Sequence, residues 1–320
     1  METKRDIATL YLVVPCYNEA EVIHDTAGKL QAKFADLRKK NLIKEDSRII
    51  FVNDGSKDTT WKIICGLHEK NHLFSGLCLA HNRGHQNALY AGLMFAKDKA
   101  DVVISIDADL QQDIQAMDLF LAEYYKGCDI VYGVRNSRDT DSFFKKMSAK
   151  MFYSMMRSYD DEVYTNSADY RLMSKKALEA LSEYSEVNLF LRGIIPDIGL
   201  KSGVVHFDVF PRIAGESKYT LKKMMKLALD GITSFTIQPL HYILTTGILF
   251  VLISIIMMII TVVEYFQGKN VPGYSTMMCS MWFIGGVIVL SLGVVGEYVG
   301  RSYEEGKKRP RYFVEDIRHE

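Results

Sequence analysis

Residues 101–111 read Asp-Val-Val-Ile-Ser-Ile-Asp-Ala-Asp-Leu-Gln, an apolar, β-branched run followed at once by Asp107 and Asp109. The run predicts a buried strand over residues 101–106. Two carboxylates one residue apart at the end of a strand can share a divalent cation such as Mg²⁺ or Mn²⁺, which can hold a diphosphate. Because Asp-x-Asp also fits a solvated turn or a helix cap, its place after a strand is what favours a metal site.

Strand-like and helix-like segments alternate on both sides of this stretch. This alternation predicts an α/β fold, a Rossmann-like and mostly parallel sheet covered by helices, with ligands at the carboxyl ends of the strands. Polar clusters follow strand after strand, while no GxGxxG or GxxxxGK[ST] motif does, so a dinucleotide site and a P-loop are not supported. The predicted strands cover residues 11–15, 48–53, 76–80, 101–106 and 129–134, and the predicted helices cover residues 19–39, 59–70, 86–97 and 114–125.

The overall charge is balanced, with 39 Lys and Arg against 39 Asp and Glu among 320 residues. A basic excess is expected of a generic nucleic-acid binder, so that class is excluded. The contents of 24% charged and 11% aromatic residues exclude a disordered or low-complexity chain. The five cysteines are scattered without a CxxC pair, which argues against disulfides and zinc and favours a reducing compartment.

Charge is absent from two long stretches near the carboxyl terminus. No Asp, Glu, Lys or Arg occurs between Asp230 and Glu264, or between Lys269 and Glu297. Each stretch contains an apolar run long enough to cross a bilayer, although two buried core helices would be the alternative. Lysines before the first run and basic residues after the second place both termini in the cytoplasm by the positive-inside rule. The predicted spans are Ile243–Val263 and Met277–Val295.

Six motifs in order, together with this anchor, resemble family 2 glycosyltransferases of the GT-A fold. The motifs are ValValProCysTyrAsnGlu (13–19), ValAsnAspGlySerLysAspThr (52–59), AsnArgGlyHisGlnAsnAlaLeuTyrAlaGly (82–92), AspAlaAspLeuGlnGln (107–112), AlaAspTyrArgLeuMetSer (168–174) and ArgIleAlaGlyGluSerLysTyr (212–219). With its two-helix transmembrane hairpin, the chain resembles the membrane-anchored polyprenyl-phosphate glycosyltransferases, related to dolichol-phosphate mannose synthases and bacterial undecaprenyl-phosphate glucosyltransferases.

The charge pattern and the resemblance together predict four parts. These are a cytosolic GT-A domain over residues 1–217, a juxtamembrane amphipathic segment over 218–235, two transmembrane helices over 236–300 and a basic cytosolic tail over 301–320. The lysine-rich juxtamembrane segment suits a helix on an anionic membrane surface, with a solvated helix packed on the domain as the alternative. The protein is then a multi-pass protein of the cell membrane whose catalytic domain is cytoplasmic. Relatives of this architecture can form homo-oligomers through their anchors, and glycines in the second span would permit close helix contact.

The resemblance also implies roles for individual residues. The nucleotide pocket is assigned Pro15, Tyr17, Glu19 and Asp54. Asp107 and Asp109 are assigned to Mg²⁺ or Mn²⁺ and the diphosphate, with Gln111 beside them, and Asp169 is placed near the acceptor as the residue usually called the base. The basic residues expected near phosphates are Arg135, Arg138, Arg212 and Lys218. A lipid monophosphate is already mostly ionised at neutral pH, so Asp169 acts either as a base or as an orienting group. His85 stands where many relatives have lysine, and its role is open.

The implied activity is inverting, non-processive transfer of one hexose from a nucleotide sugar to polyprenyl (undecaprenyl) phosphate, for cell-envelope glycosylation. The expected donor is UDP-glucose, with UDP-N-acetylglucosamine or GDP-mannose as alternatives. A processive polysaccharide synthase is disfavoured because neither Trp61 nor Trp282 lies in a QxxRW segment. A catalytically silent scaffold that binds nucleotide sugars is the alternative outside enzymes, and retention of Asp107, Asp109 and Asp169 argues against it.

Overall fold

The structure is a computed structural model in which the chain divides into two compact units. Unit one comprises Met1–Thr220 and Arg309–Glu320, and unit two comprises Leu221–Lys308. The residues described are 5–136, 167–186, 190–210 and 273–319, with single helical residues at 243, 245, 247–249, 252, 253, 256 and 259.

The first half of unit one alternates strands and helices, as the sequence predicts. The observed elements are β1 (Leu10–Cys16), α1 (Ile23–Lys39), β2 (Arg48–Asn53), α2 (Thr60–Lys70), β3 (Phe74–Leu79), α3 (His85–Ala96), β4 (Val102–Ser105), a 3₁₀ turn (Ile114–Ala116), α4 (Met117–Tyr125) and β5 (Ile130–Arg135). Predicted and observed ends of these strands and helices agree within a few residues.

The second half of unit one departs from this alternation. Its elements are β6 (Ser167–Ser174), α5 (Lys175–Ser182), α6 (Leu191–Asp197), β7 (Ser202–Phe207) and β8 (Val314–Arg318). Helix α5 begins where the Ser174 hydroxyl accepts a hydrogen bond from the Ala177 N–H at 3.2 Å, an N-cap that satisfies one of the helix's first amides.

The strands form one mixed sheet in the order β7-β5-β6-β4-β1-β2-β3-β8. Strands β1 to β4 are joined by parallel pairs, β6 is antiparallel to both β4 and β5, and β8 is antiparallel to β3. The amino end of β6 therefore lies at the same edge as the carboxyl ends of β4 and β5. We call this edge the carboxyl edge of the sheet, and the opposite one the amino edge.

The two faces of β1 alternate, as expected of a strand covered on both sides. Leu10, Leu12 and Val14 join a buried cluster with residues of α1 and α4. On the other face, α3 packs closely because residue 92 is glycine: a Cβ there would lie 2.4 Å from Val13 Cγ1. This close packing fixes the start of α3 at the carboxyl edge.

The carboxyl-terminal residues, predicted as a basic cytosolic tail over 301–320, contain the end of a helix and a strand. The helix before them continues to Gly306, and residues 314–318 form β8 at the edge of the sheet. Arg311 also donates hydrogen bonds to the main-chain carbonyls of Tyr184 and Glu186. The local charge of this segment could not reveal a strand, because its partner β3 is more than two hundred residues away in sequence.

Unit two contains α7 (Tyr274–Gly306), which includes the predicted second span. Within the described part of the chain, one stretch of helix, Phe283–Gly306, is long and apolar enough to cross a membrane, and its side chains are not buried by protein. The predicted first span is described only at single residues, which are helical. The juxtamembrane segment over 218–235 lies outside the described residues.

Candidate active site

The loops that follow β1 and β2 are hydrogen-bonded to each other at the carboxyl edge. The N–H of Asn18 donates to Ser56 Oγ at 2.9 Å, and Asn18 Oδ1 accepts from the N–H of Lys57 at 2.9 Å. Asn18 has a φ of 53°, a left-handed conformation that asparagine adopts more readily than most residues. The predicted nucleotide-pocket residues of this segment are the buried Pro15 and the half-buried Tyr17 and Glu19.

Asp54, also predicted for the nucleotide pocket, is buried and fastens the loop before α3. Its two carboxylate oxygens accept the N–H groups of Arg83 at 2.7 Å and Gly84 at 2.9 Å. Gly55 lets the loop after β2 approach the loop before α3, since a Cβ at residue 55 would lie 2.6 Å from the main-chain nitrogen of Asn82. Burial raises the pKa of Asp54, although these hydrogen bonds lower it. No motif in the sequence indicates this loop-holding role.

The metal loop, residues 107–112, begins directly after β4. Asp107 Oδ2 accepts a hydrogen bond from Gln112 Nε2 at 2.5 Å. Asp109 Oδ1 accepts the N–H of Gln111 at 3.3 Å. Leu110 has a φ of 45°, which turns the chain sharply between the two aspartates and the glutamines. The half-buried Gln111 is thus held within the loop through its main chain, next to Asp109.

Helix α1 supports the metal loop from beneath. The buried Thr26 donates its hydroxyl to the carbonyl of Ala108 at 2.7 Å. Two helical turns further along, the buried Lys33 donates to Gln115 Oε1 at 2.8 Å and to Asp118 Oδ1 at 3.1 Å, both of which lie beyond the loop. The main chain between Asp107 and Asp109 is therefore tied to a regular helix through Ala108.

Asp169, at the amino end of β6, is surrounded by cations. Arg192 of α6 forms a bidentate pair with it, Nε to Oδ1 at 3.1 Å and Nη2 to Oδ2 at 3.0 Å. Arg171 Nη2 lies 3.2 Å from Oδ1. Burial tends to raise the pKa of Asp169, but Arg192, His85 and Arg171 outweigh it and hold that pKa well below its ordinary value. Asp169 is therefore ionised throughout the neutral range.

His85 lies between the metal loop and Asp169. Its Nε2 is 3.7 Å from Asp107 Oδ1 and 3.6 Å from Asp169 Oδ2. Desolvation disfavours the charged imidazole, yet the nearby carboxylates of Asp169 and Asp107 raise the pKa of His85 to about 9. His85 thus connects the two acidic groups as a cation at neutral pH.

The metal loop suits Mg²⁺ or Mn²⁺. Within the described residues no cluster of three or more His, Cys, Asp or Glu side chains forms a complete metal site. Asp107 and Asp109 instead offer hard oxygen ligands from one short loop. Mg²⁺ is commonly bound by one or two carboxylates together with substrate phosphates and waters, so a two-carboxylate site fits a metal that arrives with a diphosphate.

The structure brings together part of the predicted site and adds residues to it. Asp107 and Asp169 meet through His85, as described above. Arg135 is half-buried at the end of β5 and pairs with Phe207 of β7. Arg138, Arg212 and Lys218 lie outside the described residues. Two cations beside Asp169 were missed, Arg171 and Arg192. Arg171 stands inside the quoted motif 168–174, whereas no motif marks Arg192.

Two family models match the chain. Glycosyl transferase family 2 matches residues 11–182, and the GtrB C-terminal hairpin matches residues 238–302. The first match covers the strands that carry Asp54, Asp107 and Asp169. The second covers most of unit two and, with the apolar helix Phe283–Gly306, indicates association with a membrane.

Individual relatives cover almost the whole chain. The uncharacterized glycosyltransferase YkoT of Bacillus subtilis (strain 168) is 45% identical over 98% of this chain and 93% of its own length. The bactoprenol glucosyl transferase of Shigella phage SfX is 37% identical over 95% of this chain and 97% of its own. Among solved structures, a mannosyltransferase of Pyrobaculum calidifontis is 13% identical with a TM-score of 0.40, covering 92% of this chain and 84% of that chain. By its sequence matches, the chain belongs to glycosyl transferase family 2, and it is a glycosyltransferase whose α/β domain has the GT-A fold.

Proposed function

We propose that the protein transfers one hexose, with inversion, from a nucleotide sugar to polyprenyl (undecaprenyl) phosphate at the cytoplasmic membrane face. The observation that carries the proposal is the junction of the metal loop with the cations around Asp169 through His85. Support for the lipid acceptor comes from the hairpin family match and from relatives named bactoprenol glucosyl transferases. The same names favour glucose, and hence UDP-glucose as donor, supplying a lipid-linked sugar for cell-envelope glycosylation.

The donor binds at the carboxyl edge, across the loops after β1, β2 and β4. Pro15, Tyr17, Glu19 and Asp54 bind the nucleotide, with Asp54 acting in part through the loop before α3. Asp107 and Asp109 would hold Mg²⁺ or Mn²⁺, with Gln111 beside them. When bound, the metal stabilises negative charge on the departing nucleoside diphosphate.

Asp169 acts as an orienting group in this proposal. Its carboxylate is ion-paired with Arg192 and Arg171, and its lowered pKa makes it a poor proton acceptor at neutral pH. No base is required, because the second ionisation of a phosphate monoester lies near pH 6. Asp169 therefore holds Arg192 and His85 in place, and these partly exposed cations attract the acceptor phosphate. Attack on the anomeric carbon from the side opposite the diphosphate gives inversion.

Further basic residues would guide the acceptor. Arg135 at the end of β5, together with Arg138, Arg212 and Lys218, supplies guanidinium and ammonium groups for phosphate. Arginine suits this role because its planar fork binds two phosphate oxygens at once.

The anchor keeps the site near its lipid substrate. Two spans with both termini in the cytoplasm place the catalytic domain on the same side as nucleotide sugars. A polyprenyl chain stays in the bilayer, so only its phosphate has to reach the domain.

The test uses the purified full chain in lipid nanodiscs with polyprenyl phosphate and a panel of UDP-glucose, UDP-N-acetylglucosamine and GDP-mannose. We expect release of UDP from UDP-glucose that requires both the lipid and a divalent metal, with glucose recovered on the lipid. Asp109→Ala should lower the rate about a thousandfold, since a metal contributes several kcal/mol to charge stabilisation. Asp113→Ala is the matched control, because the Asp113 carboxylate accepts the Gln115 N–H and caps the following 3₁₀ turn, while its contact with Tyr170 is through the main chain and is kept.

Each failure has a distinct meaning. Transfer of another sugar would change the donor but keep the reaction. Binding of nucleotide sugars without transfer to lipid would mean that the protein is a catalytically silent scaffold. Equal rates for Asp109→Ala and Asp113→Ala would mean that the metal loop takes no part in the reaction.

A further inference from the structure

Gln112, the last residue of the metal loop, is a buried amide aimed at a metal ligand. It is only 2% exposed, and its Nε2 donates to Asp107 Oδ2 at 2.5 Å. The main chain of Gln112 bridges to Val209, and the neighbouring Gln111 carbonyl accepts the N–H of Phe210 at 2.8 Å. Backbone contacts therefore fasten this end of the loop, and the NH₂ group of the Gln112 side chain is left to bind Asp107.

The polarity of the amide is fixed by what it faces. A carboxylate only accepts hydrogen bonds, so the NH₂ of Gln112 must point to Asp107 and the carbonyl must point away. That carbonyl, Oε1, is buried and accepts no hydrogen bond from any residue in the described part of the chain. A buried carbonyl without a donor is unfavourable, and stability alone would favour an apolar side chain here. The glutamine is thus better explained by what its NH₂ does to Asp107.

The hydrogen bond leaves the two oxygens of Asp107 in different situations. Oδ2 is engaged by Gln112, whereas Oδ1 lies on the side of His85, 3.7 Å from its Nε2. A carboxylate held in this way can offer a cation one oxygen in a fixed direction. An unrestrained carboxylate could rotate and bind through both oxygens.

We propose that Gln112 is a positioning residue that holds Asp107 as a single-oxygen metal ligand. The inference rests on the proposed function, because it takes Asp107 and Asp109 as the metal site. Gln112 itself touches neither metal nor substrate; it acts through Asp107. Loss of the Gln112 side chain should therefore lower the affinity for the metal more than it lowers the stability of the fold.

The experiment measures Mn²⁺ binding directly, by the electron paramagnetic resonance signal of free Mn²⁺ in titrations of the full chain with UDP present and no acceptor. Gln112→Leu keeps the volume and burial but removes the donor. We expect the half-saturating Mn²⁺ concentration to rise about tenfold, the lower end of what loss of a residue behind a metal ligand usually causes. Gln115→Leu is the control, because Gln115 belongs to the next turn and bonds Lys33 rather than Asp107.

Thermal unfolding of each variant without metal separates positioning from folding. If Gln112→Leu fails to fold, Gln112→Asn serves instead, since its shorter amide cannot reach Asp107 and should weaken Mn²⁺ binding equally. Unchanged Mn²⁺ affinity in a folded Gln112 variant, or an equal loss in Gln115→Leu, overturns the proposal while the function stands. Failure of the unaltered chain to bind Mn²⁺ with UDP overturns the metal site itself.

Discussion

Asp169 and Asp129 are two buried carboxylates at opposite edges of one sheet, with exposed fractions of 9% and 8%. Asp129, at the amino edge, is bound by Arg5 at 2.7 Å and by the Ser174 hydroxyl at 3.0 Å. Arg5 is itself fixed by the main-chain carbonyls of Tyr124 and Cys128. These contacts join the start of the chain to β5 and β6.

Asp169, at the carboxyl edge, has a different set of neighbours. Its partners are the side chains of Arg192, Arg171 and His85, and His85 also faces Asp107. One carboxylate does not need three cations for its own neutralisation, so the surplus charge is available to a phosphate. Equal burial of two aspartates therefore says little about function. Asp129 has Arg5 at 2.7 Å and Lys176 at 4.0 Å, whereas the cations of Asp169 include His85, which is shared with a second acidic group.

The largest expected effect comes from the isosteric change Asp169→Asn. It should lower kcat/KM for transfer to polyprenyl phosphate about a hundred- to a thousandfold, the usual range for removing one fixed electrostatic partner from an active site. Asp129→Asn should leave kcat/KM within about twofold and lower the free energy of unfolding by about 1–2 kcal/mol. Steady-state kinetics and urea unfolding of both variants measure this contrast, and it fails if Asp129→Asn is the slower enzyme.

The pH profile of Asp169→Asn then separates orientation from proton abstraction. The pKa of Asp169 is held well below its ordinary value by Arg192, His85 and Arg171, so its charge is constant through the neutral range and it contributes no limb to the rate there. The acceptor phosphate, ionising near pH 6, contributes one in both proteins. Residual activity that still rises through pH 6 agrees with an orienting role, whereas disappearance of that rise would make Asp169 the base.

The sequence predicts the carboxyl edge well because its signals are local. Strand-like runs followed by polar residues located Asp54, Asp107 and Asp109 after their strands, and the observed strand ends agree. The cations around Asp169 could not be found in this way. Arg192 reaches Asp169 from a separate helix after an intervening segment, and β8 pairs with a strand far earlier in the chain. Both depend on contacts between distant residues, which local periodicity does not contain.

An effect of intermediate size is expected from the arginines that bind the two aspartates, Arg192 at Asp169 and Arg5 at Asp129. Arg192→Lys replaces a bidentate guanidinium with a single ammonium and should lower kcat/KM about ten- to a hundredfold, the equivalent of one or two charged hydrogen bonds. Arg5→Lys makes the same chemical change at the amino edge and should reduce only the free energy of unfolding. Kinetics and urea unfolding again provide the measurement. Similar activity losses in the two variants would mean that the Asp169 cluster is structural, like that of Asp129.

The smallest expected effect tests how firmly α1 holds the metal loop. Thr26→Val removes the hydroxyl that donates to the Ala108 carbonyl at 2.7 Å but keeps the shape of the side chain. Loss of one such hydrogen bond lowers the free energy of unfolding by about 1 kcal/mol. If the bond stabilises the metal-binding conformation of the loop, the same free energy corresponds to about a fivefold rise in the Mn²⁺ concentration required for half-maximal activity.

The matched change at the amino edge is Thr9→Val, which removes a hydroxyl donating to Asp46 Oδ1 at 3.0 Å. Its cost in unfolding free energy should be similar, again about 1 kcal/mol, because a single side-chain hydrogen bond is lost in each case. The Mn²⁺ requirement should not change, since Thr9 contacts Asp101 and Val102 at the start of β4, at the opposite edge of the sheet from residues 107–112. Equal shifts in the metal requirement for both variants would show that it follows general stability rather than the support that Thr26 gives to the loop.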